Sequence, residues 1–387
     1  MSTAVVQPTP LATEVPSTQV ATSTPPGSLH PGTPVPYPND IQLLWMVDEF
    51  NGWAADTNGN LYRTADGGES WYFLMALAGL QASVGLSAFL DAAHAWVVPY
   101  EVRTSPTLWH TTDGGLTWTH LTDIGLPATG ADPFYRFTSP ENGIVNMSGF
   151  GEGNLYERVF ETHDGGESFA PIPVVGPTDE MGLAEGVIQY CRLCGNALYY
   201  DLSRAIVVEG GLEKPPGAVH VRQSTDQGQH WSESTLPLPS GYEDALVVAL
   251  PLTFQGDGHG YLPVRLLKYN ANGKAYDAVA IYTTSDGGTT WSLPIKILSN
   301  AEPFMLNFNE LDVEVLCGDD LCVSHDGAQT WETITPNVDF SYADTHYVSG
   351  MTFPTPLNGW VILWESPATY KVYRTDDGGA TWTLLNP

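Results

Sequence analysis

The chain has 387 residues, with 44 acids against 14 bases and a formal charge of −30. That balance disfavours non-specific binding to nucleic acid or to an anionic membrane surface. Thirty-nine Gly, 30 Pro, 12 Trp and 18 Tyr, with only 15% charged residues, suit many short strands joined by tight turns and argue against helical bundles and a halophile's charge-rich coat.

Residues 1–39 come first, and nine Pro and seven Thr fall within the first 38, where Glu14 is the only charge. Such a segment cannot bury a core, and it is expected as a disordered Pro/Thr/Ser-rich stalk or linker. Stalks of this kind hold a domain off a cell surface, so the expected setting is extracytoplasmic: a bacterial lipoprotein or a secreted protein. The signal or lipid-anchor cysteine of such a protein is absent from this chain, and that anchor would be its only tie to a membrane. A tail on a cytosolic protein is the alternative. No apolar run is long enough to cross a bilayer as a helix.

From residue 40 onward two motifs recur. The first pairs Asn or His with Gly or Ala ahead of an apolar residue: Asn51-Gly-Trp53, His94-Ala-Trp96, Asn142-Gly-Ile144, His259-Gly-Tyr261 and Asn358-Gly-Trp360, with Arg204-Ala-Ile206 as a weaker copy. It reads as the hairpin turn between the first two strands of a unit. The second is a box of eight residues: Ser/Thr, any residue, Asp, usually Gly, Gly, any residue, a small or polar residue, aromatic. Its Asp and aromatic pairs are Asp66 and Trp71, Asp113 and Trp118, Asp164 and Phe169, Asp226 and Trp231, Asp286 and Trp291, Asp326 and Trp331, and Asp377 and Trp382. The Asp residues are spaced by 47, 51, 62, 60, 40 and 51 residues, long enough for four short strands per unit.

The chemistry of the box is local. A short carboxylate accepts hydrogen bonds from the Ser/Thr hydroxyl and nearby amides, and Gly supplies the positive φ of a tight hairpin. The aromatic covers the turn and packs between neighbouring sheets. Two hairpin motifs per unit give a four-stranded meander, and its repetition predicts an all-β, seven-bladed β-propeller of antiparallel blades over residues 40–387. A solenoid would need capping units, and none stands at the end of the repeat.

The box resembles the Asp-box, or bacterial neuraminidase repeat. The stretch from Gly52 to Trp71 is similar to a blade of the photosystem II assembly/stability-factor group, and the resemblance runs from about residue 41 to the end. It implies the propeller fold of the sialidase-like superfamily, which carries several unrelated functions. Sialidase chemistry would need three Arg clamping a sugar carboxylate, a Tyr nucleophile helped by Glu, and an acid/base Asp. The chain has nine Arg, Arg63 and Arg374 stand beside boxes, and no Arg-Ile-Pro opens the propeller. The photosystem factors present a basic patch to their partner, whereas Arg and Lys are scarce here.

In a four-strand meander both repeated motifs fall on one face, so variable loops fall on the other. That loop face is the expected binding surface for protein or glycan. Its candidate ligand-binding residues are Glu101, Arg103, Glu157, Arg158, Tyr269, Tyr276, Glu365 and Tyr370, with Glu152, Glu213 and Lys214 as further charges. No catalytic residue is assigned, and the reading leans away from an enzyme toward a monomeric binding scaffold. The alternatives are a glycoside hydrolase with paired carboxylates at the central channel and an assembly factor for a membrane complex.

Four Cys form two local pairs, Cys191 with Cys194 and Cys317 with Cys322, read as disulfide candidates of an oxidising compartment. The pairs are too far apart in sequence to favour a shared zinc, and Cys191/Cys194 lacks the βαβ setting of a redox motif. No metal or cofactor is expected, because no P-loop, metalloprotease helix, nucleophile elbow or EF-hand loop occurs. Asn146-Met-Ser148 is a glycosylation sequon, meaningful only in a eukaryotic secreted protein.

Overall fold

A computed structural model gives the chain's architecture. It describes residues 34–35, 38, 40–76, 87–98, 107–127, 132–151, 154–172, 188–191, 197–201, 206–208, 212–214, 218–224, 232–249, 253–254, 258–270, 273–298, 306–309, 311–341, 343, 345–367 and 369–385. All named elements are strands, and every pairing is antiparallel.

Sheet 1 is a meander of Ile41–Met46, Gly52–Asp56, Asn60–Thr64 and Tyr72–Ala76. Sheet 2 repeats it with Ala88–Phe89, Ala95–Val97, Leu108–Thr111 and Thr119–Leu121, and sheet 3 with Asp132–Phe137, Gly143–Gly151, Asn154–Thr162 and Ala170–Ile172. Sheet 4 joins Ile188–Cys191, Ala197–Asp201, Ala218–Ser224 and Ser232–Pro237. Sheet 5 centres on the long hairpin Gly260–Asn270 and Gly273–Thr284, with Ile295–Leu298 on one side. Sheet 6 is Leu306–Asn309, Asp312–Cys317, Asp320–Ser324 and Glu332–Ile334; sheet 7 is His346–Thr352, Gly359–Glu365, Thr369–Thr375 and Thr383–Leu384.

Two expectations are corrected. Seven four-stranded sheets were expected and, among the described residues, six form, because sheet 5 has five strands. Leu246–Ala249 and Thr253–Phe254 both pair with Gly260–Asn270, one after the other, in place of a single first strand. Pro251 stands between them in the sequence and has no N–H to give to a ladder. In sheet 4, Arg204-Ala-Ile206 does not turn the first hairpin. The connection between the first two strands spans 192–196, which holds Gly195-Asn196, and Ile206 opens a separate two-stranded hairpin, Ile206–Val208 with Leu212–Lys214. Arg-Ala carries no residue that favours a tight turn.

The sheets are too small to bury apolar residues within themselves, so the core lies between them. Trp53, Leu61 and Ala55 of sheet 1 bury with Ala95 and Val97 of sheet 2. Trp96 and Leu108 of sheet 2 meet Phe137, Val145 and Phe160 of sheet 3, with Trp96 stacked on Phe137 at 3.5 Å between centroids. Further clusters join sheets 4 and 5, 5 and 6, and 6 and 7. The last sheet also packs on the first, through Trp360, Ile362 and Val372 against Ile41, Ala54 and Trp71. Contacts between sheets run through their first strands, as where Ile41–Met46 meets His346–Thr352 and Leu306–Asn309 meets His346–Thr352. First strands therefore converge at the centre. Small antiparallel sheets arranged radially in this way make an all-β propeller. Upstream, Val35 N donates to Trp71 O at 2.8 Å, which ties a residue of the 1–39 segment to sheet 1.

Candidate functional site

The boxes are built as turns. In sheet 1, Thr64 Oγ1 donates to Asp66 Oδ1 at 2.8 Å, Ser70 N donates to the same oxygen at 2.9 Å, and Gly68 N donates to Thr64 Oγ1 at 2.8 Å. Gly67 and Gly68 have φ of 74° and 92°, a conformation that suits glycine. The same bonds recur around Asp113, Asp164, Asp286, Asp326 and Asp377. Asp226 and Trp231 lie outside the described residues.

Each described box also holds the first hairpin of its own sheet. Gly67 N donates to Phe50 O, Gly114 N to Ala93 O, Gly165 N to Glu141 O, Gly287 N to Gly258 O, Gly327 N to Leu311 O and Gly378 N to Leu357 O, all at 2.8–2.9 Å. The two motifs therefore share one face. The box residues bond to their own turn, and neighbouring sheets clasp them: Trp96 Nε1 donates to Gly165 O at 2.7 Å, and Trp360 Nε1 to Gly67 O at 2.9 Å. Arg63, fully buried, donates to Ala92 O, Thr64 O and Asn51 Oδ1 and lies 5.2 Å from the centre of the Trp53 ring.

The opposite face holds the turns between second and third strands. Glu157 and Arg158 are on Asn154–Thr162, opposite Ser148 and Met147. Tyr269 and Tyr276 stand near the turn end of the long hairpin of sheet 5, opposite Lys274 and Leu267. Glu101 and Arg103 lie outside the described residues, as do Glu152 and Cys194. The cysteine pair of sheet 6 is joined: Cys317 and Cys322 form a disulfide across the hairpin, with Cα atoms 5.9 Å apart.

Of the candidate residues, Glu365 and Tyr370 stand together, at the turn end of sheet 7, and the register brings in neighbours that sequence reading did not single out. Tyr347, Trp364 and Tyr370 are directly opposite one another on three adjacent strands. Tyr347 and Trp364 stack with centroids 5.0 Å apart at 27°, and all three rings are half-buried. Tyr370 reaches the core at the seam with sheet 1; burial first, then the charges of Tyr347 and Asp40, push its hydroxyl above the ordinary tyrosine range. The result is a short aromatic row at the seam between the last sheet and the first.

Polar groups at the same strand ends are arranged around Glu365. Lys371 Nζ is 2.8 Å from Glu365 Oε2, and that hydrogen bond holds the ammonium above its ordinary range. His346 Nδ1 is 3.8 Å from Glu365 Oε1, while its Nε2 donates to Asp339 O at 2.7 Å. Trp364 and Tyr370 are symmetric about the turn, so strand alternation in Trp364-Glu365 to Tyr370-Lys371 is a signal that could have found them. Tyr347 and His346 come from a distant strand, visible only once the register is known. Among the described residues no group of three His, Cys, Asp or Glu could hold a metal ion.

No family model matches the chain, and no curated protein matches it by sequence. Solved structures do. YCF48 from Cyanidioschyzon merolae is similar with a TM-score of 0.50 at 15% identity, over 89% of this chain and 98% of that one. YCF48 bound to D1 peptide gives 0.50 at 16% identity, over 89% and 96%. The GH74 xyloglucanase from Xanthomonas campestris gives 0.53 at 13% identity, over 91% of this chain and 55% of that one. At these identities the likeness is one of fold, and the fold it shares with them is the β-propeller.

Proposed function

We propose that this chain is an extracytoplasmic, non-catalytic binding scaffold that engages protein or glycan through its loop face. Its sheets are read as Asp-box blades, and counting sheet 5 as a blade with an interrupted first strand makes the ring seven-bladed. One observation supports the binding reading above others: the half-buried row Tyr347, Trp364 and Tyr370, with the Glu365–Lys371 pair on the other face of the same strand ends. Aromatic faces with a polar tip and a few placed polar groups suit recognition of either partner class. The disulfide of sheet 6 supports an oxidising compartment. The fold does not choose among functions, since similar propellers include a peptide-bound one and a xyloglucanase.

A glycoside hydrolase is the second reading, favoured by a partly exposed carboxylate, Glu365, at the same strand ends as the aromatic row. Lys371 counts against it, because its Nζ already occupies Glu365 Oε2 at 2.8 Å. A glycan array and a peptide array, followed by hydrolysis assays on the hits, separate the readings. The scaffold predicts a bound ligand, no turnover, and at least tenfold weaker binding in Trp364→Ala and Tyr370→Ala. Turnover lost in Glu365→Gln would establish the hydrolase instead, and binding indifferent to both aromatic variants would remove this surface from consideration.

A further inference from the structure

One box departs from the others. Trp71, Trp118, Trp331 and Trp382 donate Nε1 to the carbonyl three residues back, at 2.8–3.1 Å. Trp291 does not: its Nε1 is shielded from solvent and makes no hydrogen bond. The turn itself is intact, since Thr284, Thr290 and Asp286 keep their bonds, and Gly287 and Gly288 keep φ of 69° and 85°. What differs is the exit. In the other described boxes the fourth strand begins at the residue after the aromatic, whereas here it begins at Ile295, after Ser292, Leu293 and Pro294. Ser292 Oγ holds this stretch, accepting from Thr283 N at 2.9 Å and donating to Leu293 O at 2.9 Å.

Trp291 instead lines a cavity of about 400 Å³ on the box face between sheets 5 and 6, shared with His259, Tyr261, Ser292, Leu311 and Gln329. Leu293 and Leu311 are exposed to 76% and 49%, unusual for large apolar side chains in this protein. No lysine or arginine lines the cavity, and its acid, Asp326, is already engaged by Ser324, Thr330 and Gln329 N. The volume falls within the range of small-ligand sites.

We propose that this cavity is a second binding site, for one or two rings of a neutral glycan seated on the Trp291 indole. A pyranose offers an apolar C–H face to an aromatic ring and hydroxyl oxygens at its edge. Gln329 and the hydroxyls of the lining supply partners for those oxygens, while the indole supplies the apolar platform. The lack of a lining cation, with a chain charge of −30, selects against acidic sugars. The site stands on the opposite face from the aromatic row of sheet 7 and does not depend on it.

The test is calorimetric titration of the full chain with cellohexaose, mannohexaose and xylohexaose, and with hexagalacturonate as the acidic counterpart. Trp291→Phe keeps a ring but offers a smaller apolar face than the indole, and Phe169 shows that a box accommodates that side chain. At least one neutral hexasaccharide should bind, about tenfold more weakly to Trp291→Phe and undetectably to Trp291→Ala, with Leu357→Ala, exposed on the box face of sheet 7, unchanged and hexagalacturonate not bound. Failure of all three neutral sugars to bind at millimolar concentration would overturn the proposal. So would equal affinity of the wild type and Trp291→Phe, or tighter binding of hexagalacturonate.

Discussion

Trp360→Phe tests whether the last sheet closes the ring as firmly as interior sheets pack. Trp360 is fully buried, donates Nε1 to Gly67 O of sheet 1 at 2.9 Å, and has the Arg374 guanidinium 5.4 Å from its ring centre. Phenylalanine removes the donor and leaves a buried carbonyl without it, a cost of about 1–3 kcal/mol. It also removes roughly 40 Å³ of side chain, worth about 1 kcal/mol at about 24 cal/mol per Å³ of cavity. The expected loss is thus about 2–4 kcal/mol, read from urea unfolding followed by tryptophan fluorescence and circular dichroism. Trp96→Phe is the internal standard, because Trp96 makes the equivalent bond to Gly165 O at 2.7 Å between sheets 2 and 3. Comparable losses in the two variants support a closed ring. A loss below about 0.5 kcal/mol in Trp360→Phe, beside a full loss in Trp96→Phe, would refute closure through this clasp.

Stability should also depend on pH through the boxes and through His325. Hydrogen bonds from the Thr330 hydroxyl and amide hold Asp326 down at about 2, and those from Thr290 lower Asp286. Their contribution is present above the ordinary carboxylate range and is lost as pH falls from about 4 toward 2, so the melting temperature should drop in that window. His325, held up chiefly by its hydrogen bond to Asp312 at 2.7 Å, contributes below about pH 6.5, and that part fades as pH rises through its elevated value. His325→Gln should flatten the upper limb while leaving the acid limb; a steep upper limb in the variant would refute that assignment. Reducing the Cys317–Cys322 disulfide opens a short loop, with a sequence separation of 5, and should cost about 2 kcal/mol in the same urea assay. No change on reduction would mean that the hairpin is held by its ladder alone.

Much of this protein is legible in the sequence because its signals are local. The box needs only a hydroxyl, a carboxylate four residues before a small polar residue, and glycines with positive φ, so the turn at Thr64–Trp71 follows from eight residues wherever they sit. Repetition of that turn implies repeated small sheets, and small sheets must bury their apolar faces against one another. The departures arose where local chemistry was weak or interrupted. Arg204-Ala-Ile206 has no turn residue, and a strand that the periodicity treats as whole pairs in two pieces, Leu246–Ala249 and Thr253–Phe254.

The sites needed the third dimension. Glu365 and Tyr370 could be named from the turn they flank, but Tyr347 and His346 join them through a register set by long-range pairing. Trp291 reads in sequence as one more box aromatic. Only packing shows that its fourth strand starts late, at Ile295, that its Nε1 makes no bond to the turn, and that it borders a cavity shared with the next sheet. Sequence by itself determined the repeating unit, because the unit's turns are closed by neighbours in the chain. The tertiary structure decided which side chains share a surface, because those neighbours are supplied by strands tens to hundreds of residues away.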